Sequence, residues 1–185
     1  MSVYPSLPAP AHLEHLFTEF PKGVKPLLEL HDALLREESG LTVAQRELIA
    51  AYVSGLNACQ FCFGAHKTMA MAFGIEGATI DALLENIETA PVEDEMKPVL
   101  AFAKKVTERT GITQDDARAV YFAGWSEADL NDIIMVTSLY NFMNRLVDGS
   151  GLATKDAYIE PTEEDLESRR QGTYLGWGKA AGFVE

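Results

Sequence analysis

Apolar residues recur at steps of three and four along most of this sequence, which is the spacing of one face of an α-helix. Residues 27–35 carry a dense apolar stripe of this kind, and Gly40 is expected to end that helix. No run of alternating β-branched and polar residues reaches a convincing length. The sequence therefore predicts an all-α fold, a helical bundle of about eight helices.

Several polar residues stand where helices are expected to begin. Thr42 with Gln45 forms a capping-box pattern, and Asn57 is expected to cap the helix that follows. Thr113 and Ser126 have the chemistry of N-caps, each with an aspartate at the third helical position. After the helix that begins at Thr42, further helices are expected at about 58–73, 76–87, 94–110, 114–123 and 127–146.

The chain has 185 residues, which suits one domain followed by an arm. A Gly-Ser-Gly break at 149–151 separates a predicted helical domain, residues 1–150, from a predicted C-terminal arm, residues 151–185. Because a glycine-rich arm cannot build its own core, it either folds back on its own domain or packs on a neighbouring subunit. Its aromatic residues are Tyr174, Trp177 and Phe183.

The composition argues against several classes of partner. The formal net charge is −13, whereas binding to nucleic acid phosphates requires clustered Lys and Arg. No apolar run approaches the length of a membrane span. The stretch 1–10 lacks the basic and apolar regions of a signal peptide. We therefore expect a cytoplasmic protein with neither a nucleic acid nor a membrane partner.

The two cysteines of the chain form a single C-x-x-C motif, Cys59 and Cys62. A disulfide between them would close too short a loop to stabilise the fold much, and in a reducing compartment such a pair is typically catalytic or metal-binding. Helical spacing places Cys59, Cys62 and His66 on one face, with Glu47 on the preceding helix. These four residues are the candidate site.

Each candidate residue has a use in thiol chemistry. His66 can accept the proton of Cys62, and Glu47 can hold the imidazole or relay the proton. A Cys62 thiolate that attacks a peroxide becomes a sulfenic acid, and Cys59 can condense with it to a disulfide that an external dithiol then reduces. A helix N-terminus would favour an ionised Cys59 instead. We predict Cys62 as the attacking thiol, because a positioned base also gives the proton a route.

Two other functions use the same motif. A dithiol–disulfide oxidoreductase acting on a protein partner needs the same cysteine pair. A zinc module could use all four candidate residues, but structural zinc sites usually draw on two ligand pairs, and no second pair follows here. The sequence therefore predicts no metal and no cofactor besides the redox-active disulfide. The remaining histidines are expected to be surface or packing residues; they are His12, His15 and His31.

The segments 45–49 and 57–66, which hold the Glu, the C-x-x-C and the His, resemble the AhpD-like alkylhydroperoxidase family of the carboxymuconolactone decarboxylase superfamily. The segment 133–151 is similar to the subgroup of peroxidase-related enzymes. The resemblance implies an all-α homo-oligomer in which Cys62 attacks a hydroperoxide, Cys59 donates a proton and resolves, and a Glu/His pair relays protons. It also implies a dithiol or lipoyl-type protein as reductant. The decarboxylase branch lacks this cysteine pair, so lactone decarboxylation is not expected.

Overall fold

The computed structural model describes residues 2–185, apart from the side chain of Ala157, so Met1 of the predicted domain lies outside the described residues. Within that range it contains ten α-helices, one 3₁₀ turn and no β-strand, which confirms the all-α prediction. That is about two more helices than expected, and the helices at either end, α1 and α10, are the shortest of the ten. The elements are α1 (Leu13–Glu19), α2 (Val24–Leu35), α3 (Val43–Leu56), α4 (Gln60–Ala72), α5 (Gly77–Glu85), α6 (Met96–Glu108), α7 (Gln114–Phe122), α8 (Glu127–Ser150), the 3₁₀ turn (Asp156–Tyr158), α9 (Glu163–Gln171) and α10 (Tyr174–Ala180).

Three of the predicted helix starts are confirmed. The side chains of Thr42, Thr113 and Ser126 each accept a hydrogen bond from the third helical N–H of α3, α7 and α8. At each start the side chain of that third residue accepts a bond from the cap in return, which completes a capping box.

The predicted cap at Asn57 was wrong. Ala58 adopts a left-handed conformation with φ of 56°, and Cys59 is the N-cap of α4. The Asn57 amide instead donates to Asn144 Oδ1 on α8, at 2.8 Å. A long-range partner in the core thus replaces the local cap that the sequence favours.

Two predicted helix ends were also wrong. Helix α2 ends at Leu35 rather than at Gly40, with Arg36 as its C-cap, and the guanidinium of Arg36 turns inward. Helix α8 continues past residue 146 to Ser150, because Val147 and Ser150 of its last turn are buried, and it ends at a left-handed Gly151.

The core forms around α3, which packs against α4, α5, α6 and α8. Residues 46–54 of this helix are all buried, so α3 presents no solvent face over its central turns. Its partner α4 makes the most extensive contact with it. No helix among residues 2–185 is long and apolar enough to cross a membrane.

The C-terminal arm lies over its own chain, with α9 on α4 and α10 on α2. Both carboxylate oxygens of Asp32 accept backbone N–H groups at the start of α10, from Tyr174 at 2.7 Å and Leu175 at 2.9 Å. Trp177 packs edge-on against the buried Phe183. The division at residue 150 and an exchange of the arm between subunits stay predictions.

Candidate functional site

The two cysteines lie at the start of α4 and both are free thiols. Cys59 is completely buried, and its backbone N–H donates to the carbonyl of Ser54 at 3.0 Å, which ties the turn to the end of α3. Cys62 lies one helical turn later and is 3% exposed. The structure therefore brings the two thiols together but gives them different surroundings.

Cys62 opens onto a cavity of about 720 Å³ bounded by α1, α2, α4, α8 and the C-terminal arm. This volume lies within the range typical of sites for small organic ligands. Cys62 and His66 both form part of its wall, whereas Cys59 does not. The apolar part of the wall includes Phe17, Leu28, Phe61, Met69, Met143 and Trp177.

Behind His66 lies the carboxylate of Glu47, which is fully buried on α3. Its Oε2 accepts the His66 Nδ1–H at 2.7 Å. Its Oε1 accepts from Arg36 Nη1 at 2.6 Å and from the Tyr174 hydroxyl at 2.9 Å. Burial on its own would raise the pKa of Glu47, but the His66 hydrogen bond and charge and the Arg36 guanidinium outweigh it and hold that pKa below its ordinary value. Glu47 is therefore a carboxylate at neutral pH.

The contact with Glu47 decides which nitrogen of His66 carries a hydrogen. A carboxylate only accepts hydrogen bonds, so Nδ1 is the donor, and in the neutral ring Nε2 keeps a free lone pair. The ring also packs edge-on against Tyr140 with 4.3 Å between centroids. Since Cys62 precedes His66 by four residues on α4, the two side chains share one face of the helix.

The environment of Cys59 favours its protonated form. A hydrogen bond with the Cys62 sulfur and then burial raise the pKa of the Cys59 thiol far above its ordinary value. Cys59 thus keeps its proton and can donate it towards Cys62. The arrangement sets a buried donor thiol beside a thiol that faces the cavity.

Known proteins resemble this chain in sequence and in fold. The model of the carboxymuconolactone decarboxylase family matches residues 21–105. The structure of an AhpD core, an uncharacterized peroxidase-related protein from Ralstonia eutropha JMP134, is 25% identical with a TM-score of 0.73 and covers 77% of this chain and 76% of its own. Over residues 21–105 the chain thus resembles the carboxymuconolactone decarboxylase superfamily, and its fold is AhpD-like. No curated protein sequence matches it significantly.

Two further structures share the AhpD-like fold. An uncharacterized peroxidase-related protein from Silicibacter sp. TM1040 is 24% identical with a TM-score of 0.73, over 79% of this chain and 77% of its own. The debrominase Bmp8 in complex with 2,3,4-tribromopyrrole is 16% identical with a TM-score of 0.66, over 84% of this chain and 81% of its own. At these identities the likeness concerns the fold.

The structure of this AhpD-like protein also places residues at the site that the sequence analysis did not select. Arg36 and Tyr174 hold Glu47, and Tyr140 packs on His66. None of them belongs to a local motif, since Arg36 follows the end of α2 and Tyr174 lies 127 residues from Glu47. The aromatic content of the glycine-rich arm was the available signal for Tyr174.

His31, expected to be a surface or packing residue, is buried in the cavity wall. Its Nδ1–H donates to the Leu27 carbonyl at 2.7 Å, and burial lowers the pKa of His31 to about 4. His12 contacts the Ala153 carbonyl at 2.9 Å and takes part with His15 in the cap of α1. Of the three histidines, His31 is the one in the cavity wall.

The candidate residues do not converge as metal ligands. Between residues 2 and 185, no group of three or more His, Cys, Asp or Glu side chains is arranged to hold a metal ion. Both oxygens of Glu47 are already occupied by Arg36, Tyr174 and His66.

Proposed function

We propose that this AhpD-like protein is a thiol-dependent peroxidase that reduces organic hydroperoxides. The observation that carries the proposal is the placement of Cys62 and His66 in the wall of a largely apolar cavity, with Glu47 bonded to His66 from behind and the protonated Cys59 beside Cys62. The likeness to a peroxidase-related protein at 25% identity supports the same conclusion.

In the first step, His66 Nε2 accepts the Cys62 proton, and Glu47 stabilises the resulting imidazolium through the bond to Nδ1. The thiolate then attacks the terminal oxygen of the hydroperoxide. A sulfur–oxygen bond forms and the oxygen–oxygen bond breaks, and its electron pair leaves with the alkoxide, which takes the proton held by the His66 imidazolium to become the alcohol. Cys62 is left as a sulfenic acid.

In the second step, the sulfur of Cys59 attacks the Cys62 sulfenic acid. A disulfide forms, and hydroxide leaves with the Cys59 proton as water. A dithiol then reduces the disulfide by exchange and supplies the two electrons. We propose a dithiol or a lipoyl-type protein as this reductant, acting on a cytoplasmic homo-oligomer.

The rival oxidoreductase function needs a cysteine that a folded protein partner can reach. Cys62 is 3% exposed and lies in a cavity covered by the C-terminal arm. A small organic hydroperoxide or a slender lipoyl group can reach Cys62 in this cavity more easily than a disulfide on the surface of a folded protein. The geometry therefore favours the peroxidase function over the oxidoreductase function.

The test is an intact mass of the reduced protein before and after an organic hydroperoxide, with zinc measured in the same sample. We expect a rapid loss of about two mass units and no zinc. Cys62→Ser should abolish turnover, whereas Cys59→Ser should leave a sulfenic acid that dimedone labels after a single turnover.

Three results would count against the proposal. One is a Cys62→Ser protein that still consumes hydroperoxide at the parental rate. Another is stoichiometric zinc with thiols that resist the peroxide, which would mean a metal module. A protein disulfide that oxidises the dithiol faster than any hydroperoxide would favour the oxidoreductase function.

A further inference from the structure

The cavity beside Cys62 has an apolar part and a polar part. The wall next to the thiol includes Phe61, Ala65 and Met69 of the same helix. The polar part of the wall comes from the C-terminal arm; its residues are Lys155, Asp165, Ser168, Arg169, Gln171 and Thr173. A ligand that fills the cavity therefore meets apolar surface beside Cys62 and polar groups beside α9.

Arg169 is the one Lys or Arg side chain of the cavity wall that has no acidic partner in the described part of the chain. The other cation of the wall, Lys155, is paired with Glu14 at 2.8 Å. Asp165 also lies in the wall, but its Oδ2 accepts hydrogen bonds from the backbone N–H and hydroxyl of Thr162, at 2.9 and 2.7 Å. The Nε of Arg169 is buried without an acceptor, whereas its terminal amino groups are not sealed. Arg169 thus brings an uncompensated positive charge to the cavity.

Two aromatic rings relate this guanidinium to the thiol. The guanidinium carbon of Arg169 lies 4.9 Å from the centroid of the Tyr158 ring. Tyr158 packs edge-on against Phe61, with 5.4 Å between centroids, and Phe61 directly precedes Cys62. All four side chains form part of the cavity wall. The positive charge and the thiol therefore belong to one cavity, with apolar ring surface between them.

We propose that the substrates are organic hydroperoxides that bear a carboxylate, and that Arg169 binds this carboxylate while the apolar part of the substrate reaches Cys62. This assignment rests on the peroxidase function proposed above. A guanidinium presents a fork of donors that matches the two oxygens of a carboxylate. The chain has a formal net charge of −13, so most of the protein repels an anion and a local cation is needed to hold one. A neutral alkyl hydroperoxide would leave Arg169 without a partner.

The test compares linoleic acid hydroperoxide with its methyl ester, because the ester lacks the carboxylate charge and keeps the apolar chain. With the parent, kcat/KM should be about tenfold higher for the acid. Arg169→Gln should lose this preference through a higher KM for the acid, while the ester reacts within about twofold of the parental rate. Arg169→Lys keeps the charge without the fork, so it should retain part of the preference. Added salt should weaken the preference of the parent.

The matched control is Arg118→Gln, which makes the same change in net charge at an exposed residue of α7 outside the cavity wall. It should keep the parental ratio of acid to ester.

A second measurement follows binding without turnover. Linoleic acid and methyl linoleate are titrated into the reduced protein while the fluorescence of Trp177, which lines the cavity, is recorded. Linoleic acid should bind the parent about tenfold more tightly than Arg169→Gln, whereas methyl linoleate should bind both alike.

Equal kcat/KM values for the acid and the ester in the parent would overturn the proposal. So would an Arg169→Gln protein that slows equally with both, because Arg169 would then act by holding α9 in place. If the variant instead changes only the reduction of the disulfide by dihydrolipoic acid relative to dihydrolipoamide, the bound carboxylate belongs to the reductant and the substrate assignment is wrong. If the parent reduces no hydroperoxide, the peroxidase function fails, and the titration alone decides whether Arg169 holds a carboxylate.

Discussion

The α3–α4 helix pair and the C-terminal arm contribute to the site in different ways. The helix pair carries the candidate site residues within a short stretch, with Glu47 and His66 19 residues apart in the sequence. The arm carries none of them, yet its Tyr174 reaches the same carboxylate across 127 residues. One region supplies the groups of the proposed chemistry, and the other helps to fix their geometry.

The Glu47 carboxylate is where the two regions meet. Its Oε2 bonds to His66 of the helix pair, and its Oε1 bonds to Tyr174 of the arm and to Arg36. A carboxylate held on both oxygens has little freedom to rotate, so the orientation and tautomer of His66 depend in part on the arm. Without the hydrogen bonds from Arg36 and Tyr174, the Glu47 carboxylate would be held by His66 alone.

Two close contacts hold the arm against the rest of the chain. Gly64 of α4 lies so close to the 3₁₀ turn that an added Cβ would come within 2.9 Å of the Tyr158 carbonyl oxygen. At the other end, the Asp32 carboxylate accepts the first two N–H groups of α10, where the helix dipole favours a negative charge. These two contacts place the arm over the cavity.

Glu47→Gln should have the largest effect, because it removes the carboxylate that both regions share. Arg36 would keep a buried charge without a counter-ion, and we expect the free energy of unfolding to fall by about 3–5 kcal/mol in denaturant titrations. The imidazolium of His66 would lose its stabilising charge, so the midpoint of the alkylation rate of Cys62 against pH should rise.

The matched control is Glu93→Gln, at an exposed glutamate outside the site. It should change neither the unfolding free energy nor the alkylation profile. A folded Glu47→Gln protein with the parental alkylation profile would remove Glu47 from the proton relay.

His31 should make the contact between core and arm sensitive to acid. Its pKa is lowered by burial from 6.5 to about 4, so the unfolded chain binds a proton between these two pH values and the folded protein does not. The contribution of His31 to the free energy of unfolding should therefore be fully present above about pH 6.5. It should fall by about 3 kcal/mol as the pH drops to about 4.

The measurement is the free energy of unfolding against pH for the parent and for His31→Gln. The difference between the two curves should change over this pH window and be constant above it. Parallel curves throughout the window would mean that His31 titrates alike in the folded and unfolded states.

Tyr174→Phe should have the smallest effect on stability. It should shift the midpoint of Cys62 alkylation in the opposite direction to Glu47→Gln. Loss of one hydrogen bond to a charged group should lower the unfolding free energy by about 2 kcal/mol. The carboxylate of Glu47 then has one donor fewer and stabilises the imidazolium of His66 more strongly, so the midpoint of Cys62 alkylation should fall.

Asp32→Asn is the companion variant, because it weakens the anchor of the arm without touching Glu47. This variant should destabilise the arm. Its midpoint of Cys62 alkylation against pH should shift less than that of Tyr174→Phe. A rise of the midpoint in Tyr174→Phe would mean that the arm supports the relay rather than restraining the carboxylate.

Elements with local signals were predicted well. Thr42, Thr113 and Ser126 begin helices because a cap depends on residues only three positions apart. The errors lie where distant groups compete with such local preferences. Asn57 bonds to Asn144 on α8 instead of capping α4, and α8 continues through Gly149 with Val147 and Ser150 buried in its last turn.

The sequence by itself determined the all-α fold and, through residue spacing, selected Glu47, Cys59, Cys62 and His66 as the candidate site, because helical periodicity and a C-x-x-C motif are short-range patterns. Only the tertiary structure decided that Cys62 faces the cavity while Cys59 is buried. It also brought Arg36, Tyr140 and Tyr174 to the site, since such contacts come from the packing of segments far apart in the chain.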